Sequence, residues 1–227
     1  MTVEDAYEVQ WYGAALRVRE GARVIGHKVG LTSAAMQEQF GIGEPDSGLL
    51  LDRMVVGPGE ELPVGGLLAP RVEAEIAFRL GADVRGGETG EEAVRNAVAE
   101  TFLALEVIDS RYGLSALTLA DSVADNAACA RIALGRPVAG VPEGLAGEFL
   151  TVRVDGAVAA SGYGREVLGD PVRSLCWLVR RLGSVGAGLR AGDVVLAGAV
   201  HASLALDAGQ RVTVSSPRLG EAVLHAV

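Results

Sequence analysis

The chain has 227 residues, 49% of them hydrophobic, with a formal net charge of −9, 31 glycines and 4% aromatic residues. That length and apolar content fit one domain with a continuous core, spanning residues 1–227, and exclude a disordered chain. The acidic balance argues against nucleic acid or an anionic membrane surface as partner, yet leaves room for an anionic small molecule held by a local cation.

Abundant glycine and scarce aromatics suggest a β-rich body with many tight turns. The two cysteines, Cys129 and Cys176, lie far apart in apolar settings. They read as small buried hydrophobes in a reducing compartment, one disulfide between them being the alternative. No apolar run approaches the ~18 residues of a membrane span, and no basic-then-apolar leader opens the chain. A soluble, cytoplasmic protein is the expectation.

In chain order, Thr2 and Asp5 form a capping pair for a helix over about Val3–Arg19, which Gly21 stops. This helical part occupies roughly residues 1–22. Val24–Gly30 reads as a short buried strand flanked by glycines, and Thr32 or Ser33 can cap a brief helix through Phe40. Residues 41–48 form a polar loop rich in turn residues. Pro70–Phe78 has strand character, with Val72, Ala74, Ile76 and Phe78 alternating against Glu73, Glu75 and Ala77.

Thr89 and Glu92 form a capping box for a helix that places Val94, Val98, Thr101 and Phe102 near one face, and Phe102–Ile108 is strand-like with one acid, Glu106. Phe149–Val154 and Ala157–Ser161 make a hairpin through Asp155-Gly156. Asp170-Pro171 opens a helix with Leu175, Leu178, Val179 and Leu182 as its buried stripe. Short strands follow at Asp193–Leu196, Ala202–Leu206, Arg211–Val214 and Ala222–Leu224.

Several chemistries have no support. The glycine-rich nucleotide motifs, His-Glu-x-x-His and Cys-x-x-Cys are absent, and Ser161 lacks the glycine spacing of a nucleophile elbow. Carboxylates remain. Glu73 and Glu75 share one strand face about 7 Å apart. An exposed edge strand with two solvated glutamates is the plain reading of that stretch alone. Glu106 adds a third acid in an apolar run, where an unpaired carboxylate is expensive to bury. Three hard oxygen donors suit Mg²⁺ or Mn²⁺, with positions left for water and substrate.

Gly26–Ser33 (GHKVGLTS), Glu44–Gly48 (EPDSG), Pro70–Glu75 (PRVEAE), Ala104–Arg111 (ALEVIDSR) and Ala124–Asn126 (ADN) resemble the 2-keto-4-pentenoate hydratase family. Ser161-Gly162, Leu168–Pro171, the Trp177-Leu178 helix and Leu189–Gly198 continue the likeness over nearly the whole chain. That family includes 2-oxohepta-3-ene-1,7-dioate hydratases and 4-oxalocrotonate decarboxylases, within the fumarylacetoacetate hydrolase superfamily.

The resemblance implies an α+β fold, a mixed β-roll of the fumarylacetoacetate hydrolase C-terminal type with an N-terminal helical segment. It implies a divalent metal on Glu73, Glu75 and Glu106 and a small 2-oxo acid or 2-hydroxydienoate substrate. By similarity Lys28 lies near the substrate head, Asp46 is a general acid/base on a mobile loop, and Ser161 holds a water or the substrate carboxylate. Arg111 is the candidate for pairing a carboxylate, with Asp109, Asp125 and Asn126 as supports. His201 departs from the family's usual residue and is expected to face the distal half of the substrate.

The reaction stays open at this level. Hydration is the leading reading and decarboxylation of a 2-oxo-enedioate the alternative. Hydrolysis of an acylpyruvate C–C bond, or a non-catalytic subunit supporting an active relative, come behind. A homo-oligomer is expected, with association to a homologous partner enzyme a further option.

Overall fold

The computed structural model describes residues 1–86, 90–113 and 117–227. In chain order its main elements are α1 (Val3–Arg19), β1 (Val24–Gly30), α2 (Ala34–Phe40), β2 (Asp46–Leu51), β3 (Arg71–Leu80), α3 (Glu91–Ala97), β4 (Val98–Ile108), α4 (Leu119–Ala124) and β5 (Cys129–Leu134). They continue with β6 (Phe149–Val154), β7 (Ala157–Tyr163), α5 (Pro171–Gly183), β8 (Val194–Ala199), β9 (Leu204–Ala205), β10 (Arg211–Ser216) and β11 (Gly220–Ala226).

One sheet runs β2–β1–β8–β3–β4–β5, extended by Val55–Val56 beside β5, and β9 also pairs with β3. Its β1 and β8 are parallel, whereas β8, β3, β4 and β5 are successively antiparallel. A second sheet is antiparallel, in the order β7–β6–β10–β11, with Glu61–Leu62 parallel to β11, and Val84–Arg85 pairs with Gly188–Leu189 in a small third one. This is the mixed β-roll with an N-terminal helix expected from the sequence.

Period-2 alternation explains the layers. Val72, Ala74, Ile76 and Phe78 of β3 and Leu103, Leu105 and Val107 of β4 face Leu150, Val152, Val212 and Val214 of the second sheet and the apolar stripe of α5. Each large aliphatic or aromatic side chain buried there contributes about 1.5–3 kcal/mol. The opposite face of β3 and β4 carries Ala77, Phe102 and Ala104 into a smaller cluster with Leu50, Ile132 and Leu196. It also carries Glu73, Glu75 and Glu106. β3 is therefore interior on both faces, between β8 and β4, rather than a solvated edge strand.

Local signals act where the sequence places them. Thr2 and Asp5 form a reciprocal capping box on α1, and Ser33 caps α2 through the Met36 amide. Asp170 accepts from the Val172 amide at 2.9 Å to open α5. Asp155 and Gly156, at φ 50° and 84°, turn the β6–β7 hairpin.

Two expected segments change. The third helix stops at Ala97, and Val98, Thr101 and Phe102 belong to the eleven-residue β4. Those residues suit the pleat, and pairing along β3 overrides the helical continuation. Asp46, Ser47 and Gly48 are strand, not loop: Asp46 opens β2 opposite Gly30 and is 1% exposed. Thr89 of the capping box lies outside the described residues, and α3 starts from Gly90. Cys129 and Cys176 are both buried and free. Among the described residues, no helix is long and apolar enough to cross a membrane.

Candidate functional site

Adjacent strands bring the three glutamates together. Glu73 stands directly opposite Glu106 in the β3–β4 ladder, and Glu75 follows two residues along on the same face. One carboxylate oxygen from each lies within 4.8 Å of the others, and all three side chains are buried. Glu73 Oε1, Glu75 Oε1 and both Glu106 oxygens have no hydrogen-bond partner. Three buried carboxylates with orphaned oxygens at that spacing fit a hard divalent cation. Without one, the charges are poorly compensated. Burial and then Glu106 push Glu73 up to about 8. Burial, Glu106 and Glu73 raise Glu75 well above the ordinary glutamate range.

Lys28 projects from β1 onto the same cluster, its Nζ 3.4 Å from Glu106 Oε1 and its side chain 4% exposed. Burial acts to lower its ammonium, but Glu106, Asp46 and Glu73 outweigh that and hold it above the ordinary lysine value. Asp46 arrives from β2. Its Oδ2 accepts the Ser122 hydroxyl at 2.5 Å, while Oδ1 is buried without a hydrogen-bond partner. Burial raises its carboxyl against the opposing pull of Lys28 and Ser122. Gly30 makes this convergence possible, since a Cβ there would sit 2.2 Å from Asp46 Oδ1 and 3.0 Å from Lys28 Nζ.

Lys28, Asp46, Glu73 and Ser122 line a cavity of about 20 Å³, closed by Leu31, Met36, Phe40, Ile108, Leu117, Ala127 and Ala128. Larger clefts of about 400 and 710 Å³ flank α1, and neither includes the glutamates. One wall of the small cavity is strained. Asn126, Ala127 and Ala128 are all left-handed, at φ 58°, 51° and 57°. Each such residue costs about 1–2 kcal/mol. The Asn126 amide offsets part of this by bonding both the N–H and the C=O of Leu49, at 2.8 and 2.9 Å.

The other expected residues lie elsewhere. Ser161 is exposed on edge strand β7, opposite Thr151, outside the lining of the cavity. Arg111 pairs with Asp125 and lines the 710 Å³ cleft instead. Asp109 accepts the Leu68 and Ala69 amides ahead of β3. His201 is buried, with both ring nitrogens on backbone: Nε2 accepts from the Ala74 amide at 3.1 Å, and Nδ1 is 2.7 Å from the Ala202 carbonyl. In this structure both ring nitrogens are thus engaged by backbone rather than turned to the cavity.

Sequence reasoning passed over Ser122 and the left-handed Ala127-Ala128 turn, and it met Gly198 only as the end of the Leu189–Gly198 likeness, without the N–H that donates to Glu75 Oε2 at 2.7 Å. Only Asn126, a residue that tolerates the left-handed region, offered a local signal for that turn.

Residues 27–225 match the family model described as fumarylacetoacetate (FAA) hydrolase C-terminal. The chain belongs to this family. It is 41% identical over 204 residues to a 2-keto-4-pentenoate hydratase of Burkholderia vietnamiensis, covering 89% of this chain and 78% of that protein. It is 36% identical over 214 residues to a 2-hydroxyhexa-2,4-dienoate hydratase of Comamonas testosteroni, covering 93% and 81%.

Among solved structures, 4-oxalocrotonate decarboxylase from Pseudomonas putida G7, complexed with magnesium and adipate, superposes with a TM-score of 0.94 at 32% identity, covering 100% of this chain and 87% of that one. Fumarylpyruvate hydrolase from Pseudomonas aeruginosa, at 17% identity and a TM-score of 0.67 over 88% of each chain, shares the fold.

Proposed function

We propose that the chain is a metal-dependent hydro-lyase that adds water to a short 2-hydroxydienoate or 2-oxo-enoate monoacid of the 2-keto-4-pentenoate type. One observation carries the choice of monoacid: beyond Lys28, Asp46, Glu73 and Ser122 the cavity wall is apolar, with Leu31, Met36, Phe40 and Leu117 among its side chains. Lys28 is the only cation among its described lining residues. A second carboxylate on the distal end of a substrate would be desolvated there without a partner. The hydratase relatives support the same reading. The decarboxylase reading is favoured by the structural likeness to 4-oxalocrotonate decarboxylase and remains the alternative.

Glu73, Glu75 and Glu106 would hold the cation, and the all-oxygen donor set suits Mg²⁺ or Mn²⁺. When bound, such an ion stabilises negative charge developing on the oxygens of a 2-oxo acid. The Lys28 ammonium adds a fixed positive charge beside the same head group. Asp46 exchanges the proton at Oδ1, while Ser122 keeps Oδ2 in place. A cavity of about 20 Å³ has room for about one water molecule. Substrate entry therefore requires part of the cavity wall to yield. A homo-oligomer, alone or with a homologous partner enzyme, belongs to the same reading. A monomeric mass in sedimentation at micromolar concentration would count against it.

The test is product analysis with 2-hydroxypenta-2,4-dienoate and a 2-oxo-enedioate, each with Mg²⁺ or Mn²⁺. Gain of one water by the monoacid is expected. Loss of carbon dioxide from the diacid, with no hydration of the monoacid, would overturn the hydratase reading.

A further inference from the structure

β8 leaves the regular ladder beside the glutamates. Ala199 is still paired with Glu75, and pairing to β3 resumes only at Leu204, opposite Val72. Between these points the chain bulges away after Val200. The Val200 amide still donates in register to the Ala74 carbonyl at 3.2 Å, but the Ala74 amide finds no strand carbonyl, and the imidazole Nε2 of His201 accepts from it instead at 3.1 Å. That amide belongs to the peptide joining Glu73 to Ala74. The other ring nitrogen is tied at 2.7 Å to the Ala202 carbonyl, an arrangement satisfied by the Nδ1–H tautomer.

We propose that His201 is a positioning residue for the Glu73–Glu75 pair: its imidazole supplies the acceptor that β3 lacks at the bulge and so fixes the spacing of two metal-binding carboxylates. β8 serves Glu75 as well, because Gly198, at the earlier register shift between Leu196 and Ala199, donates its N–H to Glu75 Oε2 at 2.7 Å. Gly198 has φ 118°, and a Cβ there would lie 1.8 Å from Thr32 Oγ1. The bulge is anchored at its far end as well. Gln39 of α2 accepts from the Ser203 amide at 3.0 Å, and Arg71 donates to Ser203 Oγ at 2.7 Å. His201 thus stands in a turn held at both ends, the residue 6% exposed and its ring directed at the strand that carries the carboxylates.

This inference rests on the reading that the three glutamates bind a cation, and the experiment separates the two. Apo protein, freed of metal by chelator, is titrated with Mn²⁺ by calorimetry as wild type, His201→Gln and His201→Leu. Val214→Ala, a cavity in the second sheet, serves as a control for simple loss of stability. Exchange of the Ala74 amide is followed by NMR in the same apo proteins. Wild type is expected to bind Mn²⁺. His201→Leu is expected to bind at least 10-fold more weakly and to exchange Ala74 faster. His201→Gln, which keeps an acceptor, should recover most of the affinity, and Val214→Ala should leave it unchanged.

Failure of wild type to bind Mn²⁺ would overturn the metal reading itself. Equal Mn²⁺ affinity in wild type and His201→Leu, or equal losses in the Leu and Gln variants, would overturn the role of His201. If His201→Leu does not fold, the Gln variant decides with the wild-type NMR. Slow Ala74 exchange together with Nδ1–H imidazole nitrogen shifts supports the proposal, and fast exchange or the opposite tautomer refutes it.

Discussion

Glu73 and Glu106 are direct cross-strand partners, and their buried carboxylates face the same side as Glu75. Like charges placed opposite one another destabilise a sheet. Lys28, 3.4 Å from Glu106, compensates only part of that charge. The arrangement is unfavourable as a structural device and favourable as a cation site.

Glu106→Gln tests this directly, because the amide is nearly isosteric and uncharged. Even outer partners of a metal ligand change affinity 10- to 100-fold, so losing a ligand should weaken Mg²⁺ or Mn²⁺ binding by at least about 10-fold. Far-ultraviolet circular dichroism should be unchanged. Unaltered affinity by calorimetry would remove Glu106 from the ligand set.

The raised glutamates give the apo protein a defined pH dependence. Glu73 moves from 4.5 to about 8 on folding, so the folded state holds that proton more tightly. The associated stability is complete below 4.5 and is lost as pH rises through about 8. Burial lowers His27 to about 4, which acts in the opposite direction but is finished by its ordinary value of 6.5. Between pH 6.5 and 8 the Tm in chelator should therefore fall. The gain in Tm on adding Mg²⁺ should grow over the same interval, since the cation binds the deprotonated carboxylates. Scanning calorimetry with and without Mg²⁺ checks both slopes, and a Tm that rises with pH in chelator would contradict the site as described.

Asp46→Asn removes the proposed proton exchanger while leaving the three glutamates intact. The loss of general acid/base catalysis should lower kcat about 10²–10⁴-fold. Mn²⁺ binding should be little affected. A comparable fall in metal affinity would instead make Asp46 part of the cation's own surroundings.

Phe40→Arg places a cation in the apolar wall of the cavity. The ratio of kcat/KM for a 2-oxo-enedioate over the monoacid should rise about 10-fold, the size of one charge-assisted hydrogen bond. Steady-state rates on the two substrates give that ratio. No change in it would mean that Phe40 does not face the distal end of the substrate.

Much of this was readable from local pattern. Thr2 and Asp5 marked the start of α1, Asp155-Gly156 the hairpin, and Asp170-Pro171 the entry to α5, because caps and tight turns depend on residues within a few positions. The alternation of Glu73 and Glu75 against Val72, Ala74 and Ile76 already assigned the two acids to one face. Glu106 joined them because an acid in an apolar run needs compensation wherever the strand lies.

Only the tertiary structure decided which partner each polar side chain meets. Glu106 opposite Glu73 is a matter of register between strands about thirty residues apart, and a shift of one residue would turn the carboxylate to the other face. Arg111 is held by Asp125, Ser161 lies on an exposed edge, and Asp46 is buried in a strand that only pairing with β1 creates. His201 is the clearest case: its sequence neighbourhood suggested a ligand contact, yet a bulge in β8 left the Ala74 amide without a carbonyl, and the imidazole took that place.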